Sequence, residues 1–152
     1  MATVSGVKQK ESGVGTVFAD IVVSNHRDEI KAEEGSIAQA AVRSLSLDSV
    51  LVDTGAITLC LPGALVRQLG LPFKRRVVAT TAGGEIEAEV YSDATVTVGN
   101  RSTVVECLPL PDGARPLLGA VPMEMMGLEP DLVNRVLRVL PDDNKDTYIL
   151  AY

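Results

Sequence analysis

The sequence predicts a mostly-β chain in one domain, closed into a barrel or sandwich and carrying one or two short helices. Three observations lead there. Apolar residues make up 46% of the 152 positions while aromatics supply only 3%, with no Trp, so the core is built from Val, Leu, Ile and Ala. A Val-rich aliphatic core favours strands over helices. The apolar runs are also short, and Gly, Asn or Pro punctuates them at hairpin-like intervals. One chain of this length fits one respectable core.

The elements follow in order. Residues 1–15 are polar and contain Gly6, Gly13 and Gly15, which reads as a flexible leader ahead of a domain at 16–152. The run 16–25, TVFADIVVSN, reads as a strand ended by Ser24 and Asn25. HRDEIKAEEG, 26–35, is a charged excursion with room for a helical turn stopped at Gly35. Ile37 to Val52 holds one or two more strands and runs into Asp53. LPGALVRQLGL then predicts a short helix with Leu65, Val66 and Leu69 on one face and Gly70 just past its end.

Further on, VVATTAGGEIEAEVY, 77–91, predicts two strands joined at Gly83-Gly84. Its return arm alternates Ile86, Ala88 and Val90 with Glu85, Glu87 and Glu89, so one face is expected to be wet. ATVTVGNRSTVVECLPL predicts a second hairpin turning at Gly99-Asn100. The loop PDGARP leads to LLGAVPMEMMGL, an apolar strand followed by a short helix ending near Gly127. VNRVLRVLPDD and TYILAY offer two last strands. No repeat or low-complexity tract interrupts the chain.

Composition excludes several classes of function. Twenty acidic residues against fourteen basic ones give a formal charge of −6, a poor match to nucleic acid or to an anionic membrane. The densest basic group, Lys74-Arg75-Arg76, reads as a solvated edge. No run of 18 apolar residues exists to span a bilayer, and the start lacks the apolar stretch of a signal peptide. A cytoplasmic protein is expected. Cys60 and Cys107 sit in apolar surroundings and read as small buried residues. His26 is the only histidine, and no His/Cys/carboxylate cluster has metal-ligand spacing, so neither a Cys/His nucleophile nor a metal or other cofactor is expected. Met123, Met125 and Met126 read as helix and core filling.

One stretch stands apart: SVLVDTGAITLCLP, 49–62. An apolar strand ends on a carboxylate, a hydroxyl and a glycine, then turns apolar again. An ionised carboxylate in such surroundings is costly unless it is paired or hydrogen-bonded. The residue types agree if Asp53 is catalytic. A carboxylate activating water must be held at a fixed angle. Gly55 lets the backbone turn sharply and bring an N–H to a carboxylate oxygen, and Thr54 supplies a hydroxyl to lock the loop. Apolar flanks exclude water and strengthen the electrostatics.

With Asp53-Thr54-Gly55-Ala56, the Gly83-Gly84 hairpin and Leu117-Leu118-Gly119 in that order, the sequence resembles the retropepsin-like aspartic proteases, the clan of the retroviral proteases and their cellular and bacterial relatives. The resemblance spans about residues 16–152. It implies a retropepsin-like barrel and an aspartic endopeptidase with Asp53 as the catalytic residue, supported by Thr54, Gly55 and Ala56. The hairpin tip, Thr81, Ala82, Gly83 and Gly84, would be a flap over the substrate, and Leu117, Leu118 and Gly119 would support the loop from beneath. Aspartic proteolysis needs two carboxylates sharing one proton. The chain has one such motif, so the resemblance implies a homodimer in which Thr54 bonds across the twofold axis and the C-terminal strands help form the interface. The partners implied are a second copy and a peptide or protein substrate.

Two departures matter. Retroviral members commonly carry an Asp after the Ala, paired with an Arg after the second Gly; here Ile57 and Ala120 stand there. The long excursion at 26–36 is also extra to the family's pattern. Separately, Ala56, rather than a hydroxyl residue, leaves the carboxylates one donor fewer, so a mildly acidic pH optimum is expected. Beside the protease reading stand a non-catalytic dimerisation or peptide-binding module on the same fold, and an unrelated sandwich with a chance motif. The Glu85, Glu87, Glu89 face reads as solvated, or, beside a cleft, as a preference for basic peptides.

Overall fold

A computed structural model of the chain describes residues 16–141; the 1–15 leader and the strand expected at 147–152 lie outside the described residues. The described elements are β1 (Val17–Asn25), α1 (His26–Glu33), a 3₁₀ turn (Gln39–Ala41), β2 (Ser44–Val52), β3 (Leu59–Pro62), α2 (Gly63–Leu69), β4 (Phe73–Thr81), β5 (Gly84–Val98), β6 (Arg101–Leu110), β7 (Leu117–Leu118), α3 (Ala120–Met126), β8 (Leu128–Asp131) and β9 (Val136–Val139).

The main sheet runs β1-β2-β7-β3-β6-β5-β4, and β1 pairs β5 as well, from Val22 opposite Thr97 to Asn25 opposite Ala94. Six strands therefore close into a ring. Closure removes the unpaired edges that an open sheet would expose. Among the described residues β4 pairs only with β5 and stays outside the ring, so the β4–β5 hairpin projects from the barrel. β8 and β9 form a separate antiparallel pair after α3.

The mostly-β barrel expected from the aliphatic composition is what forms. Alternate residues of the ring strands fill its interior: Val17, Ala19, Ile21 and Val23 from β1, Leu59 and Leu61 from β3, and Ala94, Val96 and Val98 from β5. Val66 and Leu69 of α2 and Met123 and Met126 of α3 pack against the same core. Each buried Val, Leu, Ile and Met among them contributes about 1.5–3 kcal/mol of burial free energy, and the two alanines less.

Three details differ from the sequence reading. The strand expected to stop near Ser92 continues through to Val98 as one long β5. The interruption is an irregularity between Tyr91 and Ala94, where Asp93 takes a left-handed φ of 61°. Asp tolerates that region better than most residues. The four-residue strand β3 and the Pro-containing β8 were not expected; both are too short to show an alternation.

The 26–35 excursion forms a true helix because its start is welded to the barrel. The Asn25 side chain accepts from the Asp28 N–H at 3.0 Å and donates to the carbonyls of Leu69 at 2.9 Å and Gly70 at 3.2 Å. Buried Asp28 accepts from Arg43 Nε at 2.8 Å and Nη2 at 3.0 Å. The guanidinium holds the Asp28 carboxyl below its ordinary range, at about 2.

Candidate active site

The two strands that flank residues 53–58 in sequence are held apart in space by a third. β7 lies between them, parallel to β2 (Leu51 opposite Leu117, Val52 opposite Leu118) and antiparallel to β3 (Leu59 opposite Leu118, Cys60 opposite Leu117). The loop from Asp53 to Thr58 must therefore cross the end of β7. Backbone hydrogen bonds pin it there: Asp53 N–H to Leu118 O at 3.0 Å, Ala120 N–H to Ala56 O at 2.9 Å, and Val121 N–H to Ile57 O at 2.9 Å.

Gly119 sits at the crossing, where a Cβ would stand 2.5 Å from the Thr58 carbonyl oxygen and 2.6 Å from that of Ala56. Only glycine fits under the loop. The residue is needed for space here, since its φ of −91° is open to any side chain.

Within the loop, Asp53 is half-buried, and its Oδ1 accepts the Gly55 N–H at 2.8 Å, the bond that the motif's glycine was expected to make. A Cβ on Gly55 would lie 3.1 Å from that same oxygen. Thr54 and Gly55 are exposed, and Ile57 is 73% exposed. Thr58 is buried and donates its hydroxyl to the Glu106 carbonyl at 2.6 Å, which ends the loop on β6. Cys60 lies close by: burial pushes its thiol up to about 11, with the Asp53 carboxylate adding to the effect. Burial likewise raises Cys107, to about 12, so both cysteines are inert thiols.

Thr54 also lines a cavity of about 510 Å³ together with Ala120, Met123, Leu128, Pro130 and Leu140. It opens between α3 and the β8–β9 pair, on the side from which the chain leaves the described region.

Of the predicted site residues, Asp53 to Ala56 and Leu117 to Gly119 meet directly in this crossing. Ala82, Gly83 and Gly84 stand apart from it, exposed at the tip of the β4–β5 hairpin, with Thr81 paired to Gly84. Residues opposed across that hairpin share a face. Arg75, Val77 and Ala79 lie with Val90, Ala88 and Ile86; Arg76, Val78 and Thr80 lie with Glu89, Glu87 and Glu85. Arg75 reaches β6 and Val90 is 3% exposed, so the first face looks toward the barrel. The glutamates lie on the other face, where Glu89 accepts from the Tyr91 hydroxyl at 2.9 Å and pairs with Arg76. Ile86 itself is 54% exposed, so both faces of the projecting tip are wet.

Two residues at the site were missed from sequence, Thr58 and Glu106. The signal was a polar side chain set into an apolar strand: Thr58 opens the run Leu59-Cys60-Leu61, and Glu106 interrupts Val104-Val105-Cys107-Leu108. Among the described residues no group of three His, Cys, Asp or Glu is placed to hold a metal ion, and no helix is long and apolar enough to cross a membrane.

A closed β-barrel that carries an Asp-Thr-Gly loop across an inserted strand is a retropepsin-like β fold. Residues 48–124, just over half the chain, match the family described as gag-polyprotein putative aspartyl protease, and the chain belongs to that family. Among solved structures it is similar to the solution structure of the simian foamy virus (mac) protease, with 26% identity over 53% of this chain and 81% of that one, and a TM-score of 0.41. No curated protein matches the chain.

Proposed function

We propose that the protein is an aspartic endopeptidase whose active site is assembled from two copies, each supplying Asp53. The observation that carries this is the loop itself. A single Asp-Thr-Gly motif in the whole sequence is held in place by the Leu118 carbonyl, by the Gly55 N–H on the carboxylate, and by the glycine beneath it. A plain surface turn can make the Asp53–Gly55 bond by itself, but it needs neither the seat on the Leu118 carbonyl nor a glycine beneath it.

In the reaction, one Asp53 is protonated and donates a hydrogen bond to the scissile carbonyl oxygen. The other, ionised, takes a proton from water as the water oxygen bonds to the carbonyl carbon. The tetrahedral intermediate then loses its amine, the C–N bond breaks, and the departing nitrogen takes up a proton from the dyad. Gly55 and Ala56 hold the carboxylate at its angle, and Leu117, Leu118 and Gly119 form the floor that fixes the loop. Thr54 is exposed at the rim of the cavity that Glu124 and Glu129 also line, a position suited to contact with a second copy. Thr81, Ala82, Gly83 and Gly84 form the flap tip, and the outer edge of β4, which pairs with no other strand among the described residues, is suited to strand-like capture of an extended peptide.

Comparing wild type with Asp53→Asn on a denatured protein or a peptide library tests the reading. Asn keeps an oxygen for the Gly55 N–H, so the variant folds, and cleavage falls by at least roughly three orders of magnitude. Equal turnover by both proteins overturns the assignment. Absence of cleavage by either, across a range of pH, leaves the barrel as a peptide-binding or dimerisation module.

A further inference from the structure

Among the described residues the β4–β5 hairpin joins the barrel's ladder through β5 alone, so beyond the buried Leu71 that precedes β4 its angle depends on a side-chain tie at β4. The root of β4 carries that tie. Arg75 grips Glu106 with both guanidinium nitrogens, Nη1 to Oε2 at 2.7 Å and Nη2 to Oε1 at 3.0 Å. Lys74 Nζ lies 2.9 Å from Oε2 of the same carboxylate. The main-chain carbonyl of Glu106, in turn, accepts the hydroxyl of Thr58 at the end of the Asp53 loop. One residue of β6 therefore holds the projecting hairpin by its side chain and the catalytic loop by its backbone.

We propose that Glu106 is a positioning residue that latches the root of the β4–β5 hairpin to the end of the Asp53 loop and so sets the hairpin's pose over the cleft. The proposal rests on the aspartic-protease reading for its catalytic consequence but not for the latch itself.

The alternative role is a surface ion pair of small effect, since a lone exposed pair contributes little. Three features separate this cluster from such a pair. The Arg75 contact is bidentate, which fixes direction as well as distance. Two cations share one anion, so loss of Glu106 leaves adjacent like charges at the hairpin root. The Glu106 carboxyl is held down to about 2, by Arg75 first and Lys74 next, so the latch stays ionised in mild acid. The anchor point is also specific: Glu106 belongs to a ring strand of the barrel, whereas the hairpin tip beyond has no ladder of its own except β4 with β5.

The test compares the full chain with Glu106→Gln, which keeps the side chain's size, and with Glu106→Asp, which keeps the charge but shortens the reach. Amide hydrogen exchange of the substrate-free protein is read first. The latch predicts exchange about three- to tenfold faster in residues 73–91 of Glu106→Gln with β1 and β2 unchanged, and a partial return in Glu106→Asp. Added salt near 1 M should reproduce the effect in wild type, because the pair is part-exposed. In peptide cleavage KM rises roughly tenfold while kcat changes by less than about threefold, the signature of weakened substrate capture. Unchanged exchange in 73–91, or faster exchange spread over the whole barrel, overturns the latch even if the enzyme cleaves. If wild type proves inactive, the protease reading falls and the exchange pattern still decides the latch.

Discussion

A Cβ on Gly119 would stand 2.5 Å from the carbonyl oxygen of Thr58, inside any contact that two such atoms tolerate. The catalytic-type loop thus rests directly on the backbone of the strand below it, with no side chain between. Gly119→Ala must lift the loop or push β7 down. The three nearest atoms it would meet, Thr58 O, Ala56 O and Thr58 N, are all backbone, which has no rotamer to swing away. A loss of about 1–3 kcal/mol follows from overpacking of this kind. Urea unfolding measures it, and cleavage should fall by more than tenfold at temperatures where the variant is still folded, since the Asp53 angle shifts with the loop. A variant as stable and active as wild type would show that the loop is not seated as described.

Acid stability draws on carboxylates outside the loop, of which Asp28 and Glu106 are the most strongly shifted among the described residues. Arg43 lowers Asp28 from 3.8 to about 2, and Arg75 with Lys74 lowers Glu106 from 4.5 to about 2. Folded pKa values below the unfolded ones mean that the unfolded chain binds protons more readily. The stabilisation is fully present above pH 4.5 and is lost as pH falls toward 2. Asp28→Asn removes one charge-assisted pair and costs ~1–3 kcal/mol at neutral pH. Its stability should also fall less steeply with acid than that of wild type. Denaturation curves collected across this window check both the sign and the slope.

The pH–rate profile carries a separate expectation. Ala56 offers no hydroxyl to the carboxylates, and its N–H is committed to the Asp53 carbonyl at 3.1 Å. With one hydroxyl donor fewer at the dyad, activity should peak in mild rather than strong acid. A peak near pH 2 would contradict this.

Much of the architecture was legible because it is written locally. The alternation of apolar residues in β1, the Gly99-Asn100 turn and the stop at Gly70 each depend on a few neighbouring residues and appear where the sequence puts them, whereas the first hairpin turns one residue early, at Ala82-Gly83, with Gly84 already paired to Thr81 in β5. The core of the site was legible for the same reason: Asp53, Thr54 and Gly55 are contiguous, and their bond spans two residues. What escaped was non-local. β3 is four residues long and owes its existence to β7 and β6 on either side. Thr58 and Glu106 lie 48 positions apart, and nothing near either one announces the hydroxyl-to-carbonyl bond that joins them. Lys74 and Arg75 read as a solvated edge because charge runs usually are; the carboxylate that gathers them comes from another strand. The glutamate alternation on β5 was visible, but which face looks toward the barrel depends on where Arg75 and Val90 go.

The central claim is that two chains build one active site, and subunit mixing tests it most directly. Wild type is equilibrated with increasing proportions of Asp53→Asn at constant total protein, and cleavage is recorded once subunits have exchanged. If each site needs an Asp53 from both copies, activity falls as the square of the wild-type fraction, to about a quarter at equal mixing. A linear fall to about one half, with each wild-type chain keeping its full activity, would show that a single chain is competent and would contradict the account.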